Sequence, residues 1–135
     1  MYLIDTNVFL EGLLEQDKAK TVKSFFQKID LNMISITDLS LHSIGIILYR
    51  LGKHELFIKF LNDLIIDGMD VLSLSPQDLK ILDNIARELR LDFDDAYQYT
   101  VAERYNLQLI SFDKDFDNTK RGRKEPSAVL SGLQH

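Results

Sequence analysis

Short apolar runs alternate along this chain with longer stretches whose apolar residues recur every three or four positions. Tyr2 to Ile4, Asn32 to Ile36, Val71 to Leu74 and Leu107 to Ser111 are too short for helices and read as buried strands. Between them the spacing predicts helices over Thr6–Glu15 and Lys18–Ile29, the second with Val22, Phe25, Phe26 and Ile29 on one face. Thr37 or Asp38 caps a helix running to about Leu51, mostly buried through Leu41, Ile44, Ile47 and Leu48. Gly52 stops it, and a helix from Lys53 to Ile66 follows, ended by Gly68. Ser75-Pro76-Gln77-Asp78 is a strong helix start, and Leu79, Leu82, Ile85, Ala86 and Leu89 continue it at helical spacing. Asp92 caps a helix from Phe93 to Tyr105. The remainder reads as loop, with one further short strand or turn near Glu125-Pro126.

Strands separated by helices imply a parallel sheet covered on both faces. The chain has 135 residues, 45% hydrophobic and 27% charged, which fits one domain over residues 1–135 with a full core. It contains no Cys, so a disulfide framework and a thiolate zinc site are excluded, and a reducing cytoplasm suits it. Met1 runs straight into a strand without a leader pattern, and the apolar stretch Ile44–Leu48 is far too short to span a bilayer. No membrane partner is expected. The net charge of −5 argues against a general nucleic-acid coat protein. The charge is uneven, with Lys114, Lys120, Arg121, Arg123 and Lys124 close together near the C-terminus.

The candidate chemistry lies where strands end and helices begin. Asp5 follows the first strand, Asp38 follows the second, Asp95 opens a helix, and Asp113 and Asp115 follow the fourth strand. In an alternating α/β chain these places meet at one edge of the sheet, where ligands bind. Each acid has a plainer reading. Asp5 and Asp38 suit helix caps, Asp95 lies three residues after the Asp92 cap, and Asp113 suits a turn. Taken together, carboxylates at one edge repel one another unless a divalent cation lies between them, the logic of a metal-dependent nuclease.

Ile4-Asp5-Thr6-Asn7, Asp95-Ala96 with Ala102 on the same helix, and Leu109-Ile110-Ser111-Phe112-Asp113-Lys114-Asp115-Phe116 occur in an order and spacing that resembles a PIN domain. Within that superfamily the chain is similar to the VapC-like ribonuclease toxins of type II toxin–antitoxin pairs. The resemblance implies a three-layer α/β/α fold with a central parallel sheet of about four to five strands. It also implies Mg²⁺- or Mn²⁺-dependent endonucleolytic cleavage of single-stranded RNA, a cognate antitoxin partner and a homodimer. Asp5, Asp95 and Asp113 match three acidic positions of the family, as catalytic residues and metal ligands. Asp115 falls near a further acid used by some members, and Thr6 and Asn7 match polar neighbours of the first. A family Glu in the helix after the second strand has no counterpart here. The alignment puts His42 at its place with Asp38 one turn earlier, on one helix face. An imidazole there would favour Mn²⁺ over Mg²⁺.

Ser111 or Asn7 would orient a water or a phosphate oxygen. Lys120, Arg121, Arg123 and Lys124 would attract the RNA backbone, or form a solvated loop. The missing Glu supports an alternative: a weak or inactive PIN-like module that binds RNA or protein. Phosphoryl-transfer folds also place an Asp after the first strand. A haloacid-dehalogenase-like phosphatase wants a second Asp two residues on, where this chain has Asn7. A receiver domain wants an early acidic pair and a late Lys, and neither is convincing here.

Overall fold

A computed structural model describes residues 1–66 and 68–133. Four strands form one all-parallel sheet: β1 (Tyr2–Ile4), β2 (Ile34–Thr37), β3 (Asp70–Leu72) and β4 (Gln108–Ile110), in the order β3-β2-β1-β4. The helices are α1 (Thr6–Leu13), α2 (Ala19–Lys28), α3 (Asp38–Arg50), α4 (His54–Phe60), α5 (Pro76–Leu89), α6 (Phe93–Arg104) and α7 (Pro126–Leu133). The architecture is the expected α/β fold with helices on both faces of the sheet.

The pleat sends neighbouring strand residues into different cores. Ile4, Ile34, Ile36 and Ile110 pack with Val8, Phe9, Val22, Phe25, Ile44 and Leu48. Leu3 and Leu109 pack with Leu82, Ile85, Tyr99, Val101, Ala102 and Phe116. Helix α6 is enclosed, with every residue from Ala96 to Ala102 buried. Its N-terminal acids are therefore carried by a helix fixed on all sides.

The strand order sets the site. The chain builds outward from β1 to β2 and β3, then returns to add β4 on the other side of β1. The β1/β4 boundary is a topological switch point, and ligands bind outside the strand ends at such a crevice. Asp5 leaves β1 there, and Ser111 to Asp113 leave β4 there.

The C-terminal region differs from the expected loop. Lys124 makes an isolated parallel bridge to Ile110, close to the anticipated strand or turn. Lys114–Asn118 then form a short 3-10 helix, and Pro126–Leu133 form α7. Pro126 sits at a first helical position, where its missing N–H costs nothing. Val129 joins the core beside α2, so tertiary packing stabilises eight residues whose periodicity alone is weak. The helix expected over Lys53–Ile66 is present, but α4 continues from Phe60 as a π-helical turn over Leu61–Ile65. Among the described residues, no helix is long and apolar enough to cross a membrane.

Candidate active site

A cleft of about 320 Å³ opens at the switch point. Asp5, Asp94, Asp95 and Asp113 line it, with Thr6, Asn7, Ser40, Ser43 and Gln98. One carboxylate oxygen from each of Asp95, Asp113 and Asp115 lies within 4.8 Å of the others.

Asp5 is held from every side. It is only 6% exposed. Its Oδ1 accepts from the Thr6 backbone N–H at 2.8 Å and from Gln98 Nε2 at 3.0 Å. Its Oδ2 accepts from Ser111 Oγ at 2.7 Å and, more weakly, from Asn7 Nδ2 at 3.4 Å. Asp5 is thus the cap of α1 and also the centre of a cross-strand network. Burial pushes its carboxyl above the usual range, while bonds from Ser111, Gln98 and Thr6 pull it down. Three of its donors are N–H groups, which fit a carboxylate acceptor.

Asp95 has the opposite environment. Asp92 Oδ1 caps α6 by accepting from the Asp95 N–H at 3.0 Å, which leaves the Asp95 carboxyl facing the cleft. Burial raises it most; the charges of Asp113 and Asp92, a hydrogen bond to Asp113 and the charge of Asp5 push it further, to about 8. Burial and the neighbouring carboxylates thus keep a proton on Asp95 near neutral pH. A divalent cation relieves the same repulsion with two charges instead of one. The donor set fits such an ion: hard carboxylate oxygens, close together, on a rigid frame.

The other anticipated residues fall into two groups. Ser111 is buried, donates to Asp5 and accepts from the Asp113 N–H at 2.9 Å. Asn7 Nδ2 donates to Ser111 Oγ at 3.3 Å, and its Oδ1 accepts from the Phe112 N–H at 3.2 Å. Both bind the acids and their loop. Asp113 Oδ1 caps the 3-10 helix by accepting from the Asp115 N–H at 2.9 Å.

His42 and Asp38 are not brought to the cleft. His42 is exposed, and the cleft face of α3 is Leu39, Ser40, Ser43 and Ile47. Asp38 Oδ1 accepts from the Tyr97 hydroxyl at 2.8 Å and from the Leu39 N–H at 2.8 Å. Of the two expected caps Thr37 is the N-cap, its hydroxyl accepting from the Ser40 N–H at 3.0 Å, and Asp38 is the first residue of the helix. Ser40, three residues past the cap, is the one that reaches Gln98 and Thr6.

Within the basic cluster, two arginines brace the fold. Arg121 donates to the Leu107 carbonyl at 3.3 Å and to Asn106 Oδ1 at 3.3 Å. Arg123 pairs with Asp117 at 3.0 Å and Glu125 at 3.3 Å, and donates to the Ser111 carbonyl at 3.2 Å. Lys120 and Lys124 are exposed.

Gln98 and Ser40 belong to the cleft and were not singled out from sequence, and Asp94 lines it beside Asp95. Gln98 had a usable signal, since it follows Asp95 by three residues on the same helix and shares its face. Ser40 had none apart from its distance to the cap.

The chain belongs to the PIN domain family, whose sequence model matches residues 2–122. Its fold is similar to that of FitAcB from Neisseria gonorrhoeae, with a TM-score of 0.77 and 18% identity over 94% of this chain and 99% of that one. It is also similar to a toxin–antitoxin complex from Klebsiella pneumoniae, with a TM-score of 0.74 and 15% identity over 93% and 98% of the two chains. A third relative is Mycobacterium tuberculosis VapC20, described as a Sarcin-Ricin loop cleaving toxin, with a TM-score of 0.71 and 17% identity over 87% and 93%. At these identities the likeness is one of fold. No curated protein sequence matches the chain.

Proposed function

We propose that this chain is a metal-dependent endoribonuclease that cleaves single-stranded RNA in the cytoplasm, as the toxin of a type II toxin–antitoxin pair. The observation that carries the reading is the meeting of Asp95, Asp113 and Asp115 beside the buried Asp5 at the sheet's switch point. Membership of the PIN family supports nuclease chemistry. The toxin–antitoxin complex and the Sarcin-Ricin loop cleaving toxin among the fold relatives support the substrate class and the antitoxin partner.

Asp95, Asp113 and Asp115 would hold Mg²⁺ or Mn²⁺, with Asp5 beside them. A bound divalent cation supplies Lewis-acid stabilisation of the phosphate and a more acidic water. The chain's own part is preorganisation. Ser111 and Asn7 lock the loop after β4 onto Asp5, so Asp113 keeps its place without reorganising when substrate arrives. The enclosed helix α6 does the same for Asp95. Lys120 and Lys124 are free to attract the RNA backbone.

One observation favours the binding-module alternative: no acid of α3 lines the cleft, which Ser40 and Ser43 fill instead. The two readings part on a single experiment. Purified protein with Mn²⁺ and a labelled single-stranded RNA should give endonucleolytic products that EDTA abolishes and Asp95→Asn does not make. Binding of the RNA without cleavage at any Mn²⁺ or Mg²⁺ concentration would leave the module reading standing.

A further inference from the structure

Gln98 is an amide in the middle of an otherwise enclosed helix, and is 3% exposed. An apolar residue would be the cheaper occupant, since a buried amide must find partners for every polar atom. Gln98 finds them all on other elements. Its Nε2 donates to Asp5 Oδ1 at 3.0 Å and to Ser40 Oγ at 2.8 Å. Its Oε1 accepts from the Thr37 hydroxyl at 2.7 Å. Ser40 Oγ also accepts from the Thr6 hydroxyl at 2.7 Å. The amide therefore ties β1, the start of α1 and the start of α3 to α6. Its orientation is fixed, because the reversed amide would set Oε1 against the Asp5 carboxylate, two acceptors face to face.

The consequence falls on Asp5. A carboxylate has about four acceptor directions. Gln98 and the Thr6 N–H take those of Oδ1, while Ser111 and Asn7 take those of Oδ2. Asp5 is accordingly outside the trio whose oxygens converge within 4.8 Å. We propose that Gln98, steadied by Thr37 and Ser40, is a positioning residue that sets the Asp5 carboxylate behind the Asp95–Asp113–Asp115 trio through an N–H donor and without adding charge. This rests on the metal-dependent reading above. The cleft thereby carries one negative charge fewer than it would with an acid in place of the amide or of Ser40.

Two near-isosteric variants separate this from a packing role. Gln98→Met keeps the volume and removes the donor, so Asp5 loses its hold. Calorimetric Mn²⁺ affinity should fall roughly 10-fold, the lower end for groups that orient a metal site from outside its ligands. Gln98→Glu keeps the shape and sets a carboxylate against Asp5. Its melting temperature without metal should fall below wild type, and the rise on adding Mn²⁺ should exceed the wild-type rise. If Gln98→Met does not fold, the Mn²⁺ increment of Gln98→Glu decides alone. A Gln98→Met protein that binds Mn²⁺ within twofold of wild type, or a Gln98→Glu protein with no larger increment, overturns the role of Gln98 while leaving the nuclease reading intact. Wild-type protein that takes up no Mn²⁺ overturns both.

Discussion

Helix α1 contributes to two cavities of unlike character. Thr6, Asn7 and Leu10 look into the carboxylate cleft of about 320 Å³. Phe9, Gly12 and Leu13 wall a groove of about 430 Å³, completed by Val22, Phe26, Leu56, Phe60 and Leu64. The groove is held by aromatic packing: Phe9 stacks on Phe26 at 5.3 Å and meets Phe60 edge-on at 5.4 Å. Its charged residues, Glu15, Lys23, Lys59 and Asp63, include two ion pairs, Lys23 with Glu15 and Lys59 with Asp63. The cleft holds its shape by hydrogen bonds between elements, and among the described residues no buried side-chain polar atom lacks a partner. Dispersion and apolar burial ignore protons and ions, whereas crowded carboxylates respond to both. One helix thus faces an inert wall and a responsive one.

The largest expected effect tests whether the two are independent. Phe9 is 1% exposed at the centre of the aromatic cluster. Phe9→Ala should lower stability by about 3–5 kcal/mol in denaturant unfolding. Mn²⁺ affinity of the folded fraction should stay at the wild-type value, because no cleft bond passes through this ring. A folded Phe9→Ala protein that has lost Mn²⁺ binding would show that α1 couples the cavities.

Asp113→Asn reverses the pattern. Asn caps the 3-10 helix nearly as well as Asp, and losing a like charge beside Asp95 should hold or raise the metal-free melting temperature. RNA cleavage should fall at least roughly a hundredfold, since a metal ion's charge stabilisation is worth several kcal/mol and 1.36 kcal/mol is tenfold. Wild-type turnover by this variant would remove Asp113 from the proposed machinery.

The proton on Asp95 gives a third contrast. Its carboxyl titrates near 8 in the fold against 3.8 ordinarily. Between these values the unfolded chain has released a proton that the fold retains. Metal-free stability should therefore fall as pH rises from 3.8 toward about 8, and level off above. Mn²⁺ displaces that proton, so its stabilising effect should grow over the same window with proton release in calorimetry. Asp95→Asn should flatten the slope, and Phe9→Ala should leave it unchanged. Metal-free stability that rises with pH across this range would contradict the proton held by Asp95.

Much of this was legible in the sequence. Short apolar runs between amphipathic stretches gave the strands and the parallel sheet, because burial on both faces leaves a strand little freedom of composition. Asp5, Asp95 and Asp113 were visible as acids at strand ends and helix starts. The rotation of α3 was not legible. Both Thr37 and Asp38 are good caps, and Ser40 and His42 lie two residues apart, about 200° around the helix, so placing His42 at the cleft put Ser40 on nearly the opposite face. Helix α7 was hidden because eight residues carry little periodic signal and depend on contact with α2. Gln98 was hidden because a polar residue in a buried stretch shows its purpose only through its partners, here Thr37, Ser40 and Asp5, which are distant in sequence.

The smallest effects concern the basic residues after β4, where sequence gives four similar cations and structure gives two kinds. Arg121 and Arg123 are bound to backbone carbonyls and acids, and the Arg123 side chain is 10% exposed. Arg123→Ala should cost about 1–3 kcal/mol of stability, because Asp117 and Glu125 lose their partner and the Ser111 carbonyl loses a donor. Lys120 and Lys124 are exposed, and among the described residues their side chains make no such bond. Replacing either by Ala should change stability by no more than about 0.5 kcal/mol. If these lysines meet the RNA backbone, each replacement should also reduce the slope of log affinity against log salt by about 0.7, the value for one single-strand phosphate contact. Binding isotherms at several salt concentrations read that slope directly. Slopes unchanged in both lysine variants would mean that the cluster's cations serve the fold and solvent, and that RNA approaches the carboxylates from another side of the cleft.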